Sequence, residues 1–157
     1  MAFLTWLEST GYVQWMLGSL VAYPFMLAVH ALGLALTVGV LLALDLRLLG
    51  LYRTIPLTSL DRLMGIAWVG MGLNTVTGVS IFMTKASQYV TNVPFIMKMT
   101  FVVLGGLSLV AMQRVLKREA ANWDAAGDVP PLGRGLALGS VLFWTLAVVT
   151  GRLIAYV

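Results

Sequence analysis

Four long, predominantly apolar runs constrain the fold of this chain more than any other feature. A helix that crosses the hydrocarbon core of a bilayer needs roughly 20 such residues, and each run is bounded by charged or turn-forming residues. Charged residues make up only 10% of the chain, whereas a soluble domain typically carries about 25%. We therefore expect an all-α fold, an integral membrane four-helix bundle in a single domain of residues 1–157. The spans are predicted at about 23–44, 63–83, 95–112 and 136–155.

The same composition excludes several classes of function. A chain with so little polar surface is not a soluble enzyme, and its net charge of +4 lies scattered between apolar runs rather than in a patch that would bind nucleic acid. The absence of cysteine excludes disulfides, thiolate metal sites and covalent haem attachment. No motif for hydrolytic catalysis is present. The expected partner is the lipid bilayer, and whether the chain is an enzyme stays open.

The segment before the first span is predicted to lie at the membrane interface. Residues 2–18 carry two tryptophans, whose rings favour the headgroup region, and we expect one short amphipathic helix there. Glu8 within this helix is expected to reach Arg152 or Lys98, or else to be solvated.

The distribution of lysine and arginine predicts the orientation of the bundle. Seven basic residues fall in the connections that follow the first and the third span: Arg47, Arg53, Arg62, Arg114, Lys117, Arg118 and Arg134. The opposite side carries Lys85, Lys98 and Arg152. Because basic residues concentrate on the cytoplasmic side, we expect both termini in the periplasm of a bacterial inner membrane.

Three further expectations concern structure. Asp45, at the end of the first span, is expected to pair with Arg62 or Arg114. The polar stretch 122–134, which is rich in turn-forming residues, is expected to be a loop. Gly70 and Asn74 share one face of the second span with Thr77, which is typical of a face where two membrane helices pack.

His30, the only histidine, is the main candidate for chemistry because an ionisable group inside a span is costly and is a functional candidate by default. It shares one face of the first span with Tyr23, Met26, Gly33 and Thr37, so that face is expected to point into the bundle. Gly33 leaves a groove for a flat macrocycle or for another helix. The alternatives for His30 are a structural hydrogen bond, ligation of a porphyrin or metal ion, and proton transfer.

Lys98 and Arg152 place two cations in the same half of the bundle as His30. This combination suits haem, in which imidazole binds the iron and basic side chains bind the propionates. Snorkelling to the interface is the alternative for Lys98. The predicted cofactor is haem b, with His30 as the metal ligand and a binding site of His30, Gly33, Thr77, Lys98 and Arg152. The candidates for a second axial ligand are Met83, Met97, Met99 and the histidine of a second protomer.

Several motifs together resemble an uncharacterised bacterial family of small four-helix membrane proteins, to which no function is assigned. They are Tyr23-Pro24, His30-Ala31-Leu32-Gly33, Asp45-Leu46-Arg47-Leu48-Leu49-Gly50, Thr77-Gly78 and Phe95-Ile96-Met97-Lys98-Met99. The layout is more distantly similar to the flavin-free membrane protoporphyrinogen oxidase family and to copper-resistance D-type membrane domains. In the oxidase family, residues like His30, Arg47 and Lys98 accompany b-type haem and porphyrin chemistry.

We therefore expect a membrane-embedded haem-b-binding protein with an electron-transfer or oxidoreductase-linked role. A second hypothesis is a cofactor-free subunit of a homo-oligomer, or of a complex with a partner membrane subunit, whose glycine-bearing faces form helix contacts. The third is a small transporter or a copper-handling protein that uses His30 and the methionines on the same side.

Overall fold

The computed structural model of the chain describes residues 2–156, which form helices joined by short connections. Met1 and Val157, which belong to the predicted domain, lie outside the described residues. The helices are α1 (Ala2–Glu8), α2 (Gly11–Gly18), α3 (Ala22–Leu48), α4 (Leu57–Asp61), α5 (Met64–Met83), α6 (Ala86–Tyr89), α7 (Val93–Ala126) and α8 (Pro131–Leu153), with a final 3-10 turn at Ile154–Tyr156.

Four helical segments are long and apolar enough to cross a membrane, which confirms the predicted helical membrane bundle. They are Ala22–Leu48, Leu57–Met83, Val93–Ala126 and Pro131–Tyr156. Large apolar side chains on the outside of these helices are well exposed, for example Val76 at 67% and Leu107 at 61%. Such a surface is stable in contact with lipid chains and would be costly in water.

The helices pack in the order α5, α3, α8 and α7, and the contact between α3 and α5 is exceptionally close. A Cβ atom on Gly70 would lie 2.7 Å from the carbonyl oxygen of Gly33. The hydroxyl of Thr37 lies 3.2 Å from the Ala67 carbonyl oxygen across the same contact. Small residues let two membrane helices approach in this way, so the predicted packing role of Gly70 is confirmed.

The bundle has two ends with different polar groups. We call the end that carries α1, α2, α6 and the C-terminal turn the histidine end, because His30 lies in that half of α3. The opposite end carries α4 and the connection between α7 and α8, and we call it the arginine end after Arg47.

The segment before the first span is helical, as predicted, but it forms two short helices, so the prediction of one continuous helix over residues 2–18 is wrong. The hydroxyls of Ser9 and Thr10 donate to the carbonyl oxygens of Trp6 (2.9 Å) and Leu7 (2.8 Å). Thr10 itself is extended, with φ −63° and ψ 145°. Serine and threonine side chains that bond to the local backbone compete with helix continuation, which accounts for the break between α1 and α2.

Most of the predicted loop at 122–134 is helical, so that expectation is also wrong. The 34-residue helix α7 extends to Ala126, well past the third span, because Ala120 and Trp123 are buried on its inner face. Gly127, whose φ is 68°, ends the helix in the left-handed conformation that favours glycine. Pro131 begins α8, where the first turn needs no N–H.

Candidate functional site

Helix α5 supports the imidazole of His30 inside the bundle. Nδ1 of His30 lies 2.9 Å from Oγ1 of Thr77, which is buried. A Cβ atom on Gly78 would lie 3.3 Å from Cε1 of the ring, so the missing side chain provides the space that the imidazole occupies. The backbone of Asn74 also interacts with the ring. The face of α5 around Thr77 and Gly78 therefore fixes the position of the histidine.

The contacts of Thr77 determine which nitrogen of His30 carries the proton. Oγ1 of Thr77 lies 2.6 Å from the carbonyl oxygen of Leu73. Two oxygens at that distance share a hydrogen, and the Thr77 hydroxyl is the group that supplies it. Oγ1 therefore accepts from His30, so Nδ1 is protonated and Nε2 has a free lone pair. Within residues 2–156, Nε2 makes no hydrogen bond.

Lys98 brings a positive charge towards this histidine from the first turns of α7. Its aliphatic stem packs across α8, where a Cβ atom on Gly151 would lie 3.4 Å from Cδ of Lys98. The ammonium group acts electrostatically on the imidazole. It has no hydrogen bond or ion pair to any part of the chain that the structure describes. A neutral imidazole beside an unpaired cation favours a ligand with an anionic group.

Arg152 and Gly33, which were predicted to belong to the same site, are not part of the cluster of His30, Thr77 and Lys98. Arg152 is exposed, and its guanidinium lies 5.7 Å from the ring centroid of Tyr156. Gly33 is buried in the contact between α3 and α5, where a Cβ atom would lie 2.9 Å from the backbone nitrogen of Asn74. The groove at Gly33 was expected to hold either a flat macrocycle or another helix. In the structure it holds helix α5. The site that the fold brings together is thus His30, Thr77 and Lys98.

The described residues offer few further ligands for a metal. No group of three or more histidine, aspartate or glutamate side chains gathers anywhere in residues 2–156. Met97 and Met99 are 45% and 43% exposed, whereas Met83 is half-buried at the end of α5. Haem supplies four nitrogens itself and therefore needs fewer ligands from the protein than an ion that depends on protein ligands alone.

A hydrogen-bonded clasp joins α1 to α6 at the histidine end. Oε1 of Glu8 accepts from the backbone N–H of Ser87 at 2.8 Å and from its hydroxyl at 2.7 Å. The expectation that Glu8 reaches Arg152 or Lys98 is therefore wrong. These bonds stabilise the ionised carboxyl, so the Ser87 hydroxyl and N–H hold the pKa of Glu8 below its usual value. The sequence carried no signal for this pairing, because the two residues are far apart along the chain.

The arginine end is built around Arg47, whose Nε donates to the carbonyl oxygen of Ile55 at 2.6 Å. Its guanidinium lies 3.7 Å from Oδ1 of Asp124, and Asp124 also accepts from the N–H groups of Leu57 (2.9 Å) and Thr58 (3.1 Å). This network ties α3, α4 and α7 together. Because α3 rises about 1.5 Å per residue, Arg47 lies roughly 25 Å from His30 and outside its site.

Asp45 differs from Arg47 in having no ionic partner. Its carboxyl is buried between α3 and α8, and it forms no ion pair with any basic residue in the described part of the chain. The expected pairing with Arg62 or Arg114 is therefore wrong. Two residues apart on α3, Arg47 and Asp45 point in different directions, so the arginine reaches α7 while the aspartate faces α8.

Comparison with known proteins gives one match. Residues 3–157 match a protein family described as a family of unknown function (DUF6644). No curated protein and no solved structure matches the chain.

Proposed function

We propose that this chain, which belongs to the family of unknown function DUF6644, binds a b-type haem in the membrane through Nε2 of His30. The observation that supports the proposal best is the hydrogen bond between His30 and Thr77, which fixes the tautomer and leaves Nε2 without a partner within residues 2–156. A histidine that ligates a metal almost always donates its other ring N–H to a fixed acceptor. Thr77 is such an acceptor.

Haem suits this site because it needs only one or two axial ligands from protein. When bound, it supplies one-electron transfer, which supports a role in electron transfer or as part of an oxidoreductase. Lys98 would hold a propionate by a charge-assisted hydrogen bond. We assign Arg152 no contact, since its guanidinium stacks near Tyr156. A second ligand to the iron would come from Met83, Met97 or Met99, from His30 of a second copy, or from none of these.

The proposed orientation places the histidine end in the periplasm of a bacterial inner membrane. It follows from the concentration of arginine and lysine at the opposite end. The haem would then lie nearer the outer surface and exchange electrons with partners there or in the membrane.

The first experiment is a reduced-minus-oxidised visible spectrum of the full chain, purified in detergent after expression with ample haem supply, together with a pyridine haemochrome assay. We expect a b-type spectrum and between one haem per two chains and one per chain. His30→Ala should abolish it, and added imidazole should restore part of it by filling the space of the lost ring. A colourless wild-type protein, or equal haem content in His30→Ala, would contradict the proposal.

The role of Lys98 is tested by charge removal at two lysines of the same end. Lys98→Gln should weaken haem binding by about tenfold, the effect of losing one charge-assisted bond. Lys85→Gln removes an exposed lysine next to α6 and should leave binding unchanged. An equal loss of haem affinity in Lys98→Gln and Lys85→Gln would indicate a general effect of net charge and would contradict a specific role of Lys98.

A groove between α7 and α8 favours the second candidate function, assembly with another membrane subunit or copy without any cofactor. It has a volume of about 470 Å³, and its floor contains Ser108, Gly135 and Gly139. Small residues of this kind let a further helix approach closely. A colourless protein of defined native mass, larger than one chain, would support assembly in place of haem binding, and metal analysis of the same sample tests copper handling.

A further inference from the structure

A second cavity lies between the second half of α3 and the second half of α8. Its volume is about 190 Å³, and Asp45 and Trp144 line it. Apart from Thr145, its other lining residues are apolar and include Leu42, Val148 and Val149, which are between 41% and 48% exposed on the outside of the bundle. The cavity therefore opens sideways towards the membrane.

Two residues that line this cavity carry a buried polar atom without a hydrogen-bond partner within residues 2–156, namely Oδ1 of Asp45 and Nε1 of Trp144, and Oγ of the neighbouring Ser140 is a third such atom. Asp45, Ser140 and Trp144 are 1%, 0% and 3% exposed. The Asp45 carboxyl and the Ser140 hydroxyl interact across the helix contact but lie outside hydrogen-bond geometry. Ser140 and Trp144 are one turn apart on the same face of α8, so all three groups lie together.

Unsatisfied polar groups are expensive inside a protein and especially inside a membrane, so each of them calls for an occupant. The indole of Trp144 is fixed by the backbone of α7, where a Cβ atom on Gly105 would lie 2.8 Å from its ring. Its N–H therefore cannot turn away to find another acceptor. The carboxyl of Asp45 is buried in a different contact, the one between α3 and α8.

We propose that this cavity binds the neutral head group of a lipid-soluble molecule that carries carbonyl or hydroxyl oxygens, such as a quinone or quinol. The indole N–H is a donor only, so the ligand must present an acceptor to it. A cationic head offers no acceptor, and the burial of an anionic head in this mostly apolar cavity would cost too much hydration. A carbonyl oxygen accepts from the indole N–H, and it accepts from the Asp45 carboxyl when that carboxyl carries a proton, whereas the hydroxyl of a quinol also donates to an ionised carboxylate.

The size and the opening of the cavity agree with this ligand class. Pockets for whole drug-sized ligands have volumes of about 300 Å³ or more, whereas this cavity has about 190 Å³. It takes a ring or another small head group and leaves an alkyl tail outside. The apolar lateral opening gives such a tail direct access to the lipid chains.

The proposal does not depend on haem. Its test records the NMR signals of the indole N–H groups of the full chain in phosphatidylcholine nanodiscs, with the five tryptophans labelled with ¹⁵N. The probe is decylubiquinone, and Trp144→Phe identifies the indole signal of Trp144. We expect this signal to shift saturably while the other four stay in place. No saturable shift at Trp144 would overturn the proposal.

Variants of Asp45 separate the chemistry of the head group from simple filling of space. Equilibrium dialysis of decylubiquinone should show binding weakened about tenfold in Asp45→Leu, because a leucine offers the head group no bond. Asp45→Asn, which keeps a donor and an acceptor, should bind within about threefold of wild type. It also serves as the folded variant if Asp45→Leu does not assemble. Asp128→Asn, a loop variant with the same chemical change, should bind as wild type does.

Two further probes define outcomes against the proposal. Decylbenzene has the tail and a ring but no oxygen, and an equal shift of the Trp144 signal by it would show apolar filling only. Decyltrimethylammonium is a cation, and if it binds more tightly than decylubiquinone and fails to bind Asp45→Asn, the cavity is a cation site. Binding of decylubiquinone that Asp45→Leu leaves unchanged would equally overturn the proposal.

Discussion

The two ends of the bundle treat their charged groups in opposite ways. At the arginine end, Arg47 has both the Ile55 carbonyl and Asp124 as partners, and Asp124 in turn accepts from the first N–H groups of α4. At the histidine end, Nε2 of His30 and the Lys98 ammonium make no hydrogen bond or ion pair to residues 2–156. The network of Arg47 and Asp124 thus satisfies its charges within the chain, whereas His30 and Lys98 keep strong polar groups without a partner within residues 2–156.

This difference indicates which end serves stability and which serves binding. A paired and hydrogen-bonded charge holds helices in place, and the loss of one partner is costly because the other stays buried. A half-buried cation or imidazole without a protein partner adds nothing comparable to the folded state, and it is expensive in a membrane. Under the proposed function the histidine end is the end that binds a ligand, and the close contact of α3 with α5 lies between the two ends.

The largest effect on stability is expected from Asp124→Ala. The substitution removes the ionic partner of Arg47, which is only 8% exposed, and leaves the first N–H groups of α4 without an acceptor. We expect the free energy of unfolding to fall by about 3 kcal/mol, measured by unfolding in mixed micelles of increasing sodium dodecyl sulfate. Haem bound per folded chain should not change.

The matched control is Asp128→Ala, which breaks the exposed pair of Asp128 and Arg134 at 2.7 Å. Exposed ion pairs contribute about 0–1 kcal/mol, so its unfolding curve should stay close to that of wild type. A large loss of haem from Asp124→Ala at unchanged stability would contradict the division of roles between the two ends, because haem binding at His30 would then depend on a residue of the arginine end.

The contact between the two ends is tested by Gly70→Ala. A Cβ atom there would lie 2.7 Å from Oγ1 of Thr37 and from the carbonyl oxygen of Gly33. We expect a loss of about 2 kcal/mol, typical of overpacking, in the same unfolding experiment. Gly72→Ala on the same helix meets nothing within 4 Å, and its better helix propensity should leave stability equal or up to about 1 kcal/mol higher. Equal behaviour of the two variants would contradict a close crossing at Gly70.

The sequence predicted the spans better than the ends of the bundle. Apolar runs of membrane length follow from the thickness of the bilayer, and α5 (Met64–Met83) agrees with the predicted span 63–83 within a residue. The break at Ser9 and Thr10 depends on two hydroxyls that bond to the local backbone. The extension of α7 to Ala126 depends on burial of Trp123. Neither effect shows in hydropathy.

The site was predictable only in part, for a geometric reason. The helical period placed His30 and Thr77 on inward faces of their spans, and their contact at 2.9 Å follows from the packing of those faces. Partners contributed by distant segments were not predictable: Glu8 bonds to Ser87, and Arg47 pairs with Asp124. Charge pairing across a bundle depends on the rotation of each helix, and one residue of register turns a side chain by about 100°.

The third prediction addresses the histidine end and concerns Thr77→Val. The change removes the acceptor for Nδ1–H and hardly alters volume, so the ring loses its fixed tautomer. Loss of such a supporting group typically costs about 10- to 100-fold in metal affinity, and we expect a loss in that range in a haem titration of the purified chain. Thr75→Val is the control, because the Thr75 hydroxyl bonds only within α5, at 2.8 Å from the Met71 carbonyl oxygen. Equal haem affinity in both variants would show that Thr77 is structural.

The smallest effect is expected from the Glu8–Ser87 clasp, where the histidine end satisfies a charge as the arginine end does. Ser87 stabilises the ionised carboxyl, so the pKa of Glu8 lies below its usual 4.5 in the folded chain. The clasp therefore contributes its full stability above pH 4.5, and the contribution is lost as the pH falls through the lowered pKa. We expect the Ser87 amide signal in ¹H–¹⁵N spectra to titrate with a midpoint below 4.5.

Two variants sharpen this last test. In Glu8→Gln the Ser87 signal should no longer move with pH over this range, because the group that titrates is absent. In Glu119→Gln, a carboxyl of the arginine end that bonds to Asn122 at 3.1 Å, the titration of Ser87 should be unchanged. A midpoint at or above 4.5 in the wild type would mean that the carboxyl is not held by Ser87. The hydrogen bonds between Glu8 and Ser87 would then not hold α1 to α6. The histidine end would in that case have no satisfied charge to compare with Nε2 of His30 and the Lys98 ammonium, which have no partner within residues 2–156.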